Sequence, residues 1–138
     1  MKFWAVRHGD ALFPEGTESN LEFEKVPRDK PLQVEVSQPR NPAHHRLFWA
    51  LCARIARGIG QTAEWVERAF KVETGHFDIY KYGGKEHMVL RSIAFHNMDQ
   101  IQFKEFFENC VQIMYRVWKI DPASVADLLV PEEKHNDR

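Results

Sequence analysis

The chain holds 138 residues, with 19 Lys and Arg against 20 Asp and Glu and 43% hydrophobic residues. That is one domain's worth by the rough prior of ~100–200 residues per domain, and the ordinary mixture excludes a disordered or collagen-like chain. A net charge of −1 gives no polyanion signal, and apolar runs only a few residues long give no membrane span.

Phe3 to Val6 reads as a short apolar strand closed by a Gly9-Asp10 turn, with Leu12-Phe13-Pro14 continuing as a strand end. Leu21-Glu22-Phe23-Glu24 and Leu32-Gln33-Val34-Glu35-Val36 alternate apolar and polar, the pattern of half-buried strands. Asn41-Pro42 reads as an N-cap followed by a first-position proline. It opens a helix from about Ala43 to Arg57 with Leu47, Phe48, Leu51, Cys52, Ile55 and Ile59 as its apolar stripe. Thr62 caps a second helix that turns Trp65, Val66, Ala69 and Phe70 inward and stops at Thr74-Gly75. Two strand-like runs, His76–Tyr82 and Met88–Phe95, flank Gly83-Gly84, a hairpin signal. Asn97 or Asp99, each followed three residues on by Gln, opens a long helix whose apolar face includes Phe103, Phe106, Phe107 and Cys110. Asp121-Pro122 caps a last short helix, and 131–138 is a polar tail. The order predicts an α+β class: N-terminal antiparallel strands, a central hairpin and about three to four helices in a single domain over 1–130.

The N-terminus, Met1 to His8, turns polar too soon for an export signal, so the expected compartment is the cytoplasm. Cys52 and Cys110 make no disulfide framework and have no close His ligands, so no metal and no other cofactor is expected.

Charge is partitioned along the chain. From Asp10 to Glu35 seven acids face three bases, whereas from Val36 to Ala63 no acid occurs and Arg40, Arg46, Arg54 and Arg57 give +4. His44 and His45 lie in the same stretch and add charge below about pH 6.5 when unperturbed. Such asymmetry points either to a local anion-binding surface or to arginines paired with acids from other segments. A nucleic-acid site needs cations for phosphates and flat side chains for bases. Arg40, Asn41, His44, His45, Arg46, Trp49 and Arg57 are the candidates, with Arg46, Trp49 and Ala53 on one helical face and Arg57 extending the row. For Trp49 the alternative is packing under the N-terminal strands or in a dimer interface; for His44-His45 it is helix capping. His76 and Asp78 share a strand face, as a hydrogen-bonded structural pair or as a general-base pair.

Arg7-His8-Gly9 after an apolar strand resembles the opening of the histidine-phosphatase superfamily. That chemistry needs a second histidine, a second arginine and an acid on an alternating strand–helix fold, which the chain does not offer, so the match is read as a strand end.

Two ordered blocks carry a closer resemblance. Arg40-Asn41-Pro42-Ala43-His44-His45-Arg46-Leu47-Phe48-Trp49-Ala50-Leu51, then Glu73–Asp78 with Arg91-Ser92-Ile93-Ala94-Phe95-His96-Asn97-Met98-Asp99 and Phe103, resemble the signature of a tailed-phage family, domain of unknown function 1367, over about 38–118. The family's insertion between its first and second helices is missing here, and Val6–Pro14 fits its usual N-terminus. The layout is also similar to the NinB-type (Orf) recombination mediators of lambda-like phages, whose helix opening Arg46, Trp49 and Ala50 match. That similarity implies a small, non-catalytic homodimer that binds single-stranded DNA and helps load a phage recombinase. A second expectation, of another class, is a phage-encoded inhibitor of a host defence or replication protein, which the acidic N- and C-terminal segments suit.

Overall fold

A computed structural model describes residues 1–94 and 97–129. The fold is mixed α+β: two separate antiparallel strand pairs with α-helices between and after them. The expected tail at 131–138 lies outside the described residues. Two compact units divide the chain, 1–35 and 36–138.

In the first unit, β1 (Ala5–His8) pairs with β2 (Ala11–Pro14) and is followed by α1 (Thr17–Glu24). Gly9 stands at φ 63° in the two-residue turn, a backbone that glycine enters without steric cost. Arg7 folds back on the Gly9 carbonyl and Asp10, so β1 runs into a hairpin, not into the helix a histidine phosphatase requires. Ser19 of α1 accepts a hydrogen bond from the Trp4 amide, and Phe3 meets Phe23 edge-on at 6.0 Å. The strand expected at Leu21–Glu24 is therefore part of a helix. Its alternation has no core to obey, since Leu21 is 62% exposed, and the good helix formers Glu18, Leu21, Glu22 and Glu24 decide the backbone. The strand expected at Leu32–Val36 is absent too: the segment has no regular structure, and alternation without a partner strand makes no ladder.

The second unit holds the core. Helix α2 (Pro42–Ile59) starts where the Asn41 side chain accepts from the Ala43 and His44 amides, and ends at Gly60 in the left-handed region. Thr62 caps α3 (Ala63–Thr74) through the Trp65 amide. The hairpin β3 (Phe77–Tyr82) and β4 (Lys85–Leu90) turns at Gly83-Gly84, both at positive φ as a type I′ turn demands. Asp99 and Gln102 form a reciprocal capping box at the start of α4 (Gln100–Trp118), and a 3₁₀ segment, Pro122–Leu128, closes the described chain. β4 thus ends at Leu90, and residues 91–94, expected to continue the strand, have no strand structure; Phe95, its expected end, lies outside the described residues.

Fully buried Phe48 sits at the centre of this core, its ring 5.6–6.1 Å from those of Phe70, Phe103, Phe106 and Phe107. The apolar stripes of α2, α3 and α4 meet there as their 3.6-residue spacing predicts. Trp65 departs from expectation: it is 43% exposed, with its ring 6.4 Å from that of Trp118. Among the described residues no helix is long and apolar enough to cross a membrane.

Candidate nucleic-acid interface

The seven residues expected to meet nucleic acid do not share one surface. Arg40 is 9% exposed and His44 5%, so both lie inside the second unit. Arg40 Nη1 donates to the carbonyls of Ile93 and Met98 at 2.6 and 3.2 Å, and its guanidinium lies 3.7 Å above the centre of the Phe103 ring. These contacts bind the start of α2 to the segment that leads into α4. A charged donor satisfying two carbonyls at a buried turn is a structural device, each bond stronger than a neutral one. Burial draws the guanidinium below its usual pKa, and the nearby Asp99 carboxylate acts the other way.

His44 belongs to the same network. Gln100 Nε2 donates to His44 Nδ1 at 2.8 Å while Gln100 Oε1 accepts the Asn41 amide at 2.8 Å. The ring then carries its proton on Nε2 and packs against Phe103 and Phe107. His45 receives Arg40 Nη2 at Nδ1, 2.6 Å away, and the Trp49 indole N–H at Nε2, 3.3 Å away. Arginine and tryptophan only donate, and a neutral imidazole accepts at one nitrogen, so the two compete and the indole is the more loosely held. Burial first, then Arg40, lowers the pKa of His45; the same two causes and Lys104 lower that of His44, against Glu108. The two histidines are therefore neutral at pH 7, and the charge expected from them below pH 6.5 is deferred to lower pH. Arg40 and His44, expected on a solvent-facing phosphate site, are instead turned inward, where Arg40 donates to two carbonyls and His44 accepts from Gln100.

Arg46 and Arg57 are exposed and Trp49 is half-buried. At ~100° per residue Arg46, Ala50, Ala53 and Arg57 fall within about 60° of one another, with Trp49 on the flank of the row. Trp49 packs edge-on against Phe48 at 5.7 Å, which fixes its ring against the core while part of it faces outward. Arg46 and Arg57 are about 16 Å apart along the axis at ~1.5 Å per residue. A shallow groove of about 410 Å³ runs beside this face, lined by Ala50, Ala53 and Arg57 together with Gln61 and Leu128. Arg54 at its edge is held in a two-pronged pair by Asp127, at 2.9 and 3.1 Å, so one of the four arginines pairs with an acid from another segment.

A second cleft, about 530 Å³, opens at the root of the hairpin. The His76–Asp78 pair expected there does not form as a hydrogen bond. Asp78 instead takes Arg91 Nη2 and Nε at 2.6 and 3.1 Å, and His76 Nε2 donates to the Ser92 carbonyl at 3.4 Å. That pairing holds Asp78 below the usual carboxylate range. Sequence reasoning missed the cleft because its residues come from three separate segments.

Among the described residues no group of three or more His, Cys, Asp or Glu is placed to hold a metal ion. Burial pushes the Cys52 and Cys110 thiols well above their usual range, so neither is poised as a nucleophile. No protein-family model, curated protein or solved structure matches the chain.

Proposed function

We propose that this protein is a phage recombination accessory factor that binds single-stranded DNA without catalysis, working as a homodimer in the cytoplasm of the bacterial host. The observation that carries this reading is the outward row of α2. Two exposed arginines bracket two alanines beside a groove, and a core-braced indole stands next to them. Small side chains between cations let a sugar–phosphate backbone approach closely, and an aromatic face beside it offers a stacking platform to any base. The resemblance to the phage family and to the NinB-type mediators supports the same direction. Two phosphate contacts are few, so the binding is weak and sequence-tolerant.

Fluorescence anisotropy with labelled single-stranded and duplex oligonucleotides at two salt concentrations tests it. The expected result is tighter binding to the single strand, with log K falling against log salt at a slope of about −1.4 for two phosphate contacts. Trp49→Leu, which keeps an apolar contact to Phe48, lowers single-strand affinity by about 1–3 kcal/mol, the usual worth of a stacked base. Absence of binding at low salt sinks the reading.

A second reading has its own observation. In the first unit Trp4 is 65% exposed, Leu12 51% and Phe13 51%, and the same unit carries seven acids from Asp10 to Glu35. Exposed apolar groups on an acidic unit suit a surface that docks on a basic protein, as an inhibitor of a host defence or replication protein requires. Deletion of residues 1–35 abolishes host-protein capture on this reading and leaves DNA affinity intact.

A further inference from the structure

The cleft at the hairpin root has the composition of a site for a flat, neutral, polar ligand. Its floor is the ring of Phe106, 5% exposed, against which His76 lies at 5.3 Å. Gln102, Glu105, Phe106 and Asn109 follow one another at i, i+3, i+4 and i+7, so α4 presents them along one wall. Arg91 and Asn97 approach from the segment between β4 and α4.

Charge decides the ligand class. Arg91 is neutralised by Asp78, which engages its Nε and Nη2 and leaves Nη1 to donate. Burial holds the His76 pKa low, with help from Arg91 and Lys71, and the Ser92 carbonyl and Asp78 oppose it only in part. Glu105 joins none of the ion pairs among the described residues. With Arg91 answered by Asp78, Glu105 is the charged group of the described lining that has no ion-pair partner, and its carboxylate attracts N–H donors. The other polar side chains are the amides of Asn97, Asn109 and Gln102, whose Oε1 is committed to the Asp99 amide at 2.9 Å, and the hydroxyls of Thr74 and Ser92, which bond to the Phe70 carbonyl and the Ala94 amide.

We propose that this cleft binds a guanine base, seated on Phe106 and His76, with the Glu105 carboxylate accepting its N1–H and N2–H and with Arg91 and the Asn97 and Asn109 amides facing its O6 and N7. Guanine is the one common base whose Watson–Crick edge places two adjacent donors opposite the two oxygens of a carboxylate. Its other edge carries two acceptors, which an arginine or amide reads. Adenine has no ring N–H to offer, and cytosine has a single exocyclic donor group. The volume, about 530 Å³, lies within the range of sites that enclose small molecules. The site uses none of the α2 residues assigned to DNA, so it stands or falls apart from that row.

The test is titration of the full isotope-labelled chain with guanosine, adenosine and cytidine, followed by proton–nitrogen correlation spectra. Guanosine is expected to shift the His76 ring and the Asn97 and Asn109 side-chain amides, and to bind about tenfold or more tightly than adenosine. Glu105→Gln, at an exposed position, removes that preference and leaves affinity for oligo(dT) unchanged. Arg46→Ala leaves the guanosine titration unchanged. An oligo(dT) carrying a single guanine that binds more tightly than oligo(dT) itself, in a manner lost with Glu105→Gln, identifies the source as an unpaired base in a strand; a response to guanosine alone identifies a free nucleoside or nucleotide. Equal response to guanosine and adenosine, no response to guanosine, or an unchanged preference in Glu105→Gln overturns the proposal, whatever the α2 row does.

Discussion

Arg40 and Arg46 belong to the same acid-free stretch, and both open the same helix, yet one is a core residue and the other faces water. Arg40 precedes the N-cap and is drawn under the turn, where the Ile93 and Met98 carbonyls need donors and the Phe103 face accepts a cation. Arg46 follows one helical turn later on the side away from Phe48 and meets no such demand. A local excess of arginine thus has two physical outcomes, and unsatisfied backbone carbonyls nearby decide which one applies.

The sharpest way to break this contrast is to remove each guanidinium in turn. Arg40→Met keeps much of the apolar stem but leaves two buried carbonyls without their donor, and it is expected to cost about 3 kcal/mol of stability by urea unfolding. Arg46→Ala is expected to cost less than about 0.5 kcal/mol, the usual scale for an exposed site, while weakening single-strand binding. Equal losses of stability in the two variants would remove the distinction.

Acid sharpens the same comparison. His44 and His45 have pKa values lowered from 6.5 by burial and by Arg40, and His76 is lowered as well. The unfolded chain therefore takes up protons near pH 6.5 while the folded chain resists, so stability is fully present above that pH and falls as the pH drops below it. Each histidine contributes a slope of at most about 1.4 kcal/mol per pH unit until its folded pKa is reached. Chemical unfolding at a series of pH values is expected to show a plateau above pH 7 and a decline as the pH falls below about 6.5, shallower in His45→Gln. The Asp78 carboxylate, lowered from 3.8, loses its contribution only at more acidic pH, below that window.

Asn41 marks the boundary between the two arginines. Its side chain accepts from two otherwise unpaired amides of the first turn of α2, and its own amide donates to Gln100. Asn41→Ala is expected to cost about 1 kcal/mol in the same unfolding assay, the usual worth of an N-cap. A neutral outcome would mean that Gln100 and Arg40 alone hold the helix start.

What was legible in the sequence was what local chemistry dictates. Asn41-Pro42, Thr62, Gly75, Gly83-Gly84 and the Asp99/Gln102 box each act on the backbone within a few residues, and α2, α3, α4 and the hairpin begin or end where they stand. Leu21–Glu24 misled because a period of two carries information only where one face is buried, and there it is not. The placement of the candidate residues was half legible. Helical spacing gathers Arg46, Trp49, Ala53 and Arg57 toward one side of α2, but the burial of Arg40 and His44 depends on carbonyls and a glutamine more than fifty residues away, which spacing cannot reveal. Asp78 is a nearer case: its partner is Arg91, thirteen residues on across the hairpin, and not the histidine two residues before it.

The smallest expected effect separates the two remaining arginines of α2. Arg54 is tied to Asp127 by two hydrogen bonds, with the side chains 40% and 64% exposed, while Arg57, a turn on, joins no ion pair among the described residues. Water and salt screen a pair at that exposure, so a double-mutant cycle over Arg54→Ala and Asp127→Ala is expected to return only a small coupling at low salt, shrinking as salt rises. The DNA readout separates them further. Arg57→Ala flattens the salt dependence of single-strand binding by about 0.7 in slope, one phosphate's worth. Arg54→Ala leaves that slope unchanged, because its charge is already answered within the protein; an equal change in both variants would put Arg54 in the row and Asp127 in competition with the strand.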